Sequence, residues 1–235
     1  MKKGKLYLIP TLLGETDTGK VIPSGTLELI RELDVFIVEE LRSARRFLKK
    51  AGFPKSFDLV DFLLLNEHTP PGELTSLLSP ALEGKNMGLL SEAGMPCVAD
   101  PGSALVRIAH EKGIRVIPLS GPSSILLALA ASGFNGQRFS FVGYLPVDKE
   151  QRKRKIREIE RAVYEKDETQ IFIETPYRND QMFRALAEAC RPETLLCLAA
   201  DLTAESEQIL VRSIADWRKA MTEIGKRPCV FLLYR

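Results

Sequence analysis

Short apolar runs alternate with helical patterns that end on glycine, and this rhythm limits the possible folds more than any other feature of the chain. Leu6–Ile9, Val35–Val38, Met87–Leu90 and Arg115–Pro118 have strand length. Between them, Pro23–Leu33 carries Leu27, Ile30 and Leu33 at helical spacing. Arg42–Ala51 is closed by Gly52, Pro71–Glu83 by Gly84, and Ser103–Lys112 by Gly113. Phe57–Leu65 reads as a mixed strand or loop. Strands that are apolar along their whole length must be covered on both faces, which predicts a mostly parallel sheet between two helical layers. With 235 residues, 45% of them hydrophobic, the chain can bury one large or two small α/β cores.

The second half has a different order. Ser123–Ala131 is a strongly apolar helix, expected to be buried, followed by a strand at Arg138–Gly143 and a charged helix at Lys149–Tyr164. Gln170–Glu174 is a strand and Asn179–Ala189 a helix. Leu195–Ala200, Glu207–Ser213 and Cys229–Leu233 are three more strands, with a helix Ile214–Glu223 that holds Trp217 as a core residue. Strands with few helices between them pair as hairpins, so a mixed sheet is expected. The reading is α/β, with two α/β domains, residues 1–118 and 119–235, meeting near Leu119–Pro122. The composition around Pro146–Gln151 marks a competing boundary.

Charge and cysteine usage exclude several classes. Lys and Arg total 33 against 31 Asp and Glu, a net charge of +2, so any basic site is local rather than global. Cys97, Cys190, Cys197 and Cys229 are widely spaced, with no C-x-x-C pair; with only two histidines, a metal site is not expected. The basic start Met1–Lys5 is followed by too short an apolar run for a signal sequence, and no window has the roughly 20 apolar residues of a membrane span. A cytoplasmic protein is expected.

Several segments have the makings of a site. Ser91–Gly102 packs two glycines, two prolines and two acids into a strand exit, as a shaped binding loop would. Thr11–Gly19 is a polar, glycine-bearing loop that is either a nucleotide cradle or a plain connection; it lacks both G-x-G-x-x-G and G-K-[ST]. Ser120–Ser124 enters a helix whose first N–H groups could hold a carboxylate or hydroxyl, or could simply be capped by Ser123 or Ser124. Glu39-Glu40-Leu41-Arg42 leaves the second strand. Arg42, Arg45, Arg46, Lys49 and Lys50 then form one helical stripe, either a solvated face or an RNA-backbone contact. Arg152, Lys153, Arg154, Lys155, Arg157 and Arg161 make a second cluster with the same two readings. Glu174-Thr175-Pro176-Tyr177-Arg178 offers an acid, a phenol and a cation, either for chemistry or as a clamp. His68, beside Asn66 and Glu67, is a surface-loop residue or a base.

Taken in order, these motifs resemble the tetrapyrrole methylase superfamily. They are the Leu6-Tyr7 strand with its Thr11–Gly14 loop, Glu39–Arg42, Asn66–His68, Ser91–Gly102, Gly121–Ser124, Gly143–Pro146, Glu174–Arg178 and Leu202–Glu207. The chain is most similar to the branch that methylates a cytidine ribose 2′-hydroxyl in small-subunit ribosomal RNA. The resemblance implies S-adenosylmethionine as methyl donor, held in the cleft between two domains, with ribosomal RNA or the small ribosomal subunit as partner, in a homodimer. By position it implies that Pro10, Thr11, Gly94, Met95, Pro96, Cys97, Val98, Ser123 and Ser124 line the donor pocket. Glu39, Arg42, Glu174 and Arg178 would face the acceptor, one of the two glutamates taking the hydroxyl proton. No metal is implied.

The chain departs from that branch where its loops would face donor and acceptor: at Leu12 and Glu15, at Glu92 and Met95, and at Ala200, which replaces an arginine. Two other functions therefore stay open: methylation of a tetrapyrrole or other small molecule, and a non-catalytic RNA- or ribosome-binding role on the same fold.

Overall fold

The structure, a computed structural model, describes residues 2–66 and 68–235; Met1 and Glu67 lie outside the described residues. The chain divides into two compact units, Met1–Ser123 and Ser124–Arg235.

In the N-terminal unit the strands are β1 (Lys5–Ile9), β2 (Val35–Val38), β3 (Asp61–Leu64), β4 (Met87–Leu90) and β5 (Arg115–Pro118). The helices are α1 (Thr18–Val21), α2 (Ser24–Glu32), α3 (Leu41–Lys50), α4 (Ser79–Leu82) and α5 (Gly102–Glu111). The five strands run parallel in the order β3-β2-β4-β1-β5. Alternate side chains feed two cores. Tyr7, Ile9, Phe36 and Val38 pack with Leu27, Ile30, Phe47 and Leu48 of α2 and α3. Leu6, Val35, Ile37, Met87 and Leu89 pack with Leu78 before α4 and with Leu105 and Ala109 of α5. Gly88 makes the first core possible, since a Cβ there would stand 2.5 Å from Ile9 Cδ1 and 2.9 Å from Phe36 Cδ1.

One expected helix is broken. Pro71–Glu83 forms 3₁₀ turns at Pro71–Glu73 and Ser76–Leu78, and only Ser79–Leu82 is α-helical. Pro80 lacks an N–H and cannot follow a full helical turn, so it is accommodated in the first turn of a new, short helix.

The connections position the site. β1 joins β2 by passing β4, and β4 joins β5 by passing β1. Right-handed crossovers in these two directions lie on opposite faces of the sheet, in agreement with α2 and α5 contributing to different cores. The carboxyl ends of β1 and β4 therefore flank a topological switch point, where open α/β sheets hold ligands.

The C-terminal unit contains α6 (Ser124–Ser132), β6 (Phe139–Tyr144), α7 (Lys149–Lys166), β7 (Thr169–Ile173), α8 (Asn179–Ala189), β8 (Leu195–Ala200), β9 (Gln208–Ser213), α9 (Ile214–Lys219) and β10 (Cys229–Tyr234). Its sheet, β6-β7-β10-β8-β9, is mixed: β6 and β7 are parallel and the other pairs antiparallel. Trp217 is fully buried, meets Phe183 edge-on and donates its indole N–H to Leu196 O at 3.0 Å. Two expectations are corrected. The helix expected over Ile214–Glu223 ends at Lys219, where Ala220 leaves helical geometry. α6 is not wholly buried: Ala128 and Leu129 are, but Leu126 and Leu127 are exposed. A helix apolar on every side gives no sequence signal for which side is covered.

Candidate active site

Three strand exits converge in the N-terminal unit. Thr11, just after β1, donates its N–H to Gly94 O at 3.0 Å. Its hydroxyl lies 3.2 Å from that of Ser91, which itself donates to Gly94 O at 2.5 Å. Gly94 has φ +73°, and a Cβ there would lie 2.8 Å from Leu13 Cδ2 and 3.4 Å from Pro122 O. A Cβ on Gly121 would lie 2.3 Å from Pro10 Cγ. The exits of β1, β4 and β5 thus touch through backbone, hydroxyl and proline groups. Of the residues expected to line a donor pocket, Pro10, Thr11 and Gly94 are buried in this junction, Pro96 is buried, and Met95 and Cys97 are half-buried. Val98 is 46% exposed. Ser123 and Ser124 are half-buried where α6 begins.

The Ser91–Gly102 loop is also strained. Cys97 (φ +68°) and Ala99 (φ +57°) hold the left-handed conformation without being glycine, which costs about 1–2 kcal/mol each. Gly102 donates its N–H to Asp100 Oδ1 at 2.6 Å. Burial pushes the Asp100 carboxyl above its ordinary range, the N–H groups of Gly102 and Cys97 opposing it. Burial, with the nearby Asp100 charge, pushes the Cys97 thiol up to about 11, so it is not a thiolate nucleophile at neutral pH.

A second cluster surrounds the start of α3. Glu40, not Glu39, is its N-cap, accepting from the N–H groups of Arg42 at 2.9 Å and Ser43 at 2.7 Å. These bonds hold the Glu40 carboxyl below the ordinary carboxylate range. Glu92, one of the departures from the family pattern, reaches over from the β4 exit; its Oε1 accepts the Glu40 N–H at 3.1 Å and the Ser43 hydroxyl at 2.8 Å. Glu15, another departure, pairs with Lys50 at the other end of α3. Both acids therefore have structural partners that the loop sequences did not reveal. Glu39 is half-buried at the β2 exit, and Arg42 is exposed on the first turn of α3. The whole stripe Arg42, Arg45, Arg46, Lys49 and Lys50 faces outward, with Arg45 lying over the rings of Phe57 and Phe62.

In the C-terminal unit the β7 exit is built from side chains. Glu174 Oε1 accepts the Thr175 N–H at 2.6 Å, and Arg178 Nε and Nη2 at 3.0 and 2.6 Å. The Glu174 side chain is 1% exposed and that of Arg178 26%. Glu39 and Arg42 belong to one unit, Glu174 and Arg178 to the other. The second basic cluster is not one surface: Arg152 is buried and donates to Val147 O at 2.9 Å, and Lys155 pairs with Glu158. Ala200 is buried in the core at the end of β8. The adjoining bend carries Asp201 (φ +51°) and Thr203 (φ +71°), tied by Arg227 Nε to Asp201 Oδ2 at 2.6 Å. His68 lies in a turn and donates its backbone N–H to Asn66 Oδ1 at 2.9 Å. No cluster of metal-ligating side chains occurs among the described residues.

The sequence matches the family described as Tetrapyrrole (Corrin/Porphyrin) Methylases over residues 5–217. It is 32% identical over 224 residues to "Ribosomal RNA small subunit methyltransferase I" of Haemophilus influenzae, covering 95% of this chain and 75% of that protein. The protein of the same name from Mesorhizobium japonicum is 34% identical, over 90% of this chain and 69% of its own. Among solved structures, the methyltransferase CobJ superposes with a TM-score of 0.66 at 19% identity, covering 99% of this chain and 94% of that one. Uroporphyrin-III C-methyltransferase from Thermus thermophilus, complexed with S-adenosyl homocysteine, gives 0.62 at 18% identity, covering 99% and 98%.

Proposed function

We infer what this chain does from one premise: it belongs to the tetrapyrrole (corrin/porphyrin) methylase family. It is a methyltransferase that uses S-adenosylmethionine as methyl donor. Within that family we propose that its acceptor is ribosomal RNA and that the reacting atom is a ribose 2′-hydroxyl. The observation that carries the RNA assignment is the identity to small-subunit ribosomal RNA methyltransferases along nearly the whole chain. The order of motifs from Thr11 to Glu207 supports the ribose.

The residues at the switch point fit such a donor. The exits of β1, β4 and β5 are rich in Pro, Gly, Thr and Ser, small groups that let a ligand approach the main chain closely, and Val98 adds exposed apolar surface. Pro10, Thr11, Gly94, Met95, Pro96, Val98, Ser123 and Ser124 would hold the donor. When bound, S-adenosylmethionine supplies an electrophilic methyl on sulfur. The chain must then orient the acceptor hydroxyl and take its proton.

The candidate groups are held in different ways. Three donors converge on the buried Glu174 Oε1, so Glu174 positions Arg178 and the turn before it. Glu39, half-buried at the carboxyl end of β2, is the proposed proton acceptor. Arg42 and Arg178 are proposed to hold acceptor phosphates. Glu39→Gln should then reduce methyl transfer about 10²–10⁴-fold while donor binding, read by calorimetry, stays intact.

The deciding assay offers labelled donor with undermethylated small ribosomal subunits or a panel of tetrapyrroles, followed by nucleoside analysis for a 2′-O-methyl product. Label on a base or only on a tetrapyrrole would overturn the ribose assignment, and donor binding without any transfer would favour a non-catalytic RNA-binding role. The proposal places a homodimer in the cytoplasm. The four free cysteines support a reducing compartment, and exposed Phe139 and Val211 on the edge strands β6 and β9 support self-association. Sedimentation tests the dimer. No described helix is long and apolar enough to cross a membrane.

A further inference from the structure

Two tyrosines of the C-terminal unit stand in water at the exits of neighbouring parallel strands, and a lysine lies over the ring of one of them, Tyr177. Tyr144 ends β6 opposite Ile173, the last residue of β7, and is 55% exposed. Tyr177 follows in the turn after β7 and is 80% exposed. Both are placed by built features. The β6–β7 register shifts between Phe141 and Tyr144, with Gly143 at φ +72°, and such bulges re-aim the next side chain. Tyr177 lies within the Glu174–Arg178 bracket, and Lys226 Nζ sits 5.0 Å from its ring centroid. A buried carboxylate that fixes a turn whose tip is an exposed phenol spends structure on presenting that ring.

Aromatic rings flanked by Arg and Lys are the materials with which proteins hold unpaired nucleotides: a base stacks on the ring, and the cations meet the neighbouring phosphates. We propose that Tyr144 and Tyr177, with Arg178 and Lys226, form a stacking platform for unpaired bases of the RNA substrate. This rests on the RNA reading above and adds to it that the acceptor strand is presented single-stranded. Protein–protein contact is the alternative use of the same surface, and the Lys226 ammonium over the Tyr177 ring, with Arg178 next in the chain, favours RNA.

The test measures binding of a labelled single-stranded oligoribonucleotide and of its duplex by fluorescence anisotropy, for the wild type and for Tyr177→Ala, Tyr144→Ala, Tyr177→Phe and Lys226→Ala. Each alanine variant at a tyrosine should weaken single-strand binding about tenfold, the loss of one base–aromatic stack, with duplex binding unchanged. Tyr177→Phe should retain wild-type binding. Lys226→Ala should weaken both RNAs and reduce the salt dependence by about one phosphate contact. Unchanged single-strand affinity in both tyrosine variants overturns the platform while leaving RNA methylation standing. So does equal weakening of single strand and duplex, or a change in sedimentation with RNA binding intact. A wild type that binds and methylates no RNA overturns the RNA reading itself, and the platform with it.

Discussion

In the N-terminal unit the loops leaving β1, β4 and β5 are joined by backbone N–H groups, two hydroxyls and close glycine contacts. In the C-terminal unit the loop leaving β7 is joined by one carboxylate that receives a backbone N–H and a guanidinium. Backbone-built loops tolerate almost no added atom, because the contact lies at the main chain itself. Side-chain-built loops depend on charge and can be altered step by step. The first arrangement suits a constant ligand such as the donor, and the second suits an acceptor that differs between relatives.

The largest effect should come from breaking the second arrangement. Glu174→Ala leaves Arg178 partly buried without its counter-charge, a loss of about 3 kcal/mol in unfolding free energy. Glu174→Gln keeps an oxygen acceptor and should lose clearly less. If denaturant unfolding showed the two variants to be alike, charge would not be what holds this turn.

Gly121→Ala tests the first arrangement. Its Cβ would collide with the Pro10 ring, which cannot swing aside as a long side chain can. Overpacking of this kind costs about 1–3 kcal/mol. The functional loss should be larger than the stability loss suggests, about a hundredfold in methyl transfer, because the β1 and β5 exits must separate. A variant with normal transfer would show that this junction is not the donor site.

The difference between the units also explains what the sequence could and could not disclose. The strands were legible because each is a short apolar run, and α3 because Ala44, Phe47 and Leu48 repeat at helical spacing under a basic face. Pro71–Glu83 reads as one helix closed by Gly84, but Pro80 forces a new helix start at Ser79. Ser91–Gly102 stood out by composition, yet its left-handed Cys97 and Ala99 carry no glycine signal. Glu40 caps α3 and Glu92, 52 residues on, accepts the N–H of that cap, and no local pattern announces such a pair. Tyr144 was legible only as part of a motif, since its exposure depends on a shift in strand register.

Acid titration sharpens the comparison further. The Glu40 carboxyl is held low by the N–H groups it caps, so its stabilisation is present above the unfolded value of 4.5 and is lost as pH falls through the lower folded value. Glu40→Gln should flatten the acid side of the stability curve and leave Tm at neutral pH only slightly lower. A variant whose acid limb matched the wild type would show that this cap does not respond to charge.

Asp100 should behave in the opposite sense and with the smallest effect. Its folded carboxyl is raised by burial, so its contribution is fully present below the unfolded value of 3.8 and is lost as pH rises through the folded one. This half-buried carboxyl therefore contributes less to stability at neutral pH than in acid. Asn at this position keeps an oxygen for the Gly102 and Cys97 N–H groups without the charge. Asp100→Asn should raise Tm slightly at pH 7, and the gain should disappear in acid. A loop that holds two residues in left-handed geometry beside a half-buried acid gives up stability, as segments shaped for a ligand do. The more stable variant should accordingly bind S-adenosylmethionine more weakly in calorimetry. A variant that gained stability and bound donor as well as the wild type would show that the shape of this loop does not serve donor binding.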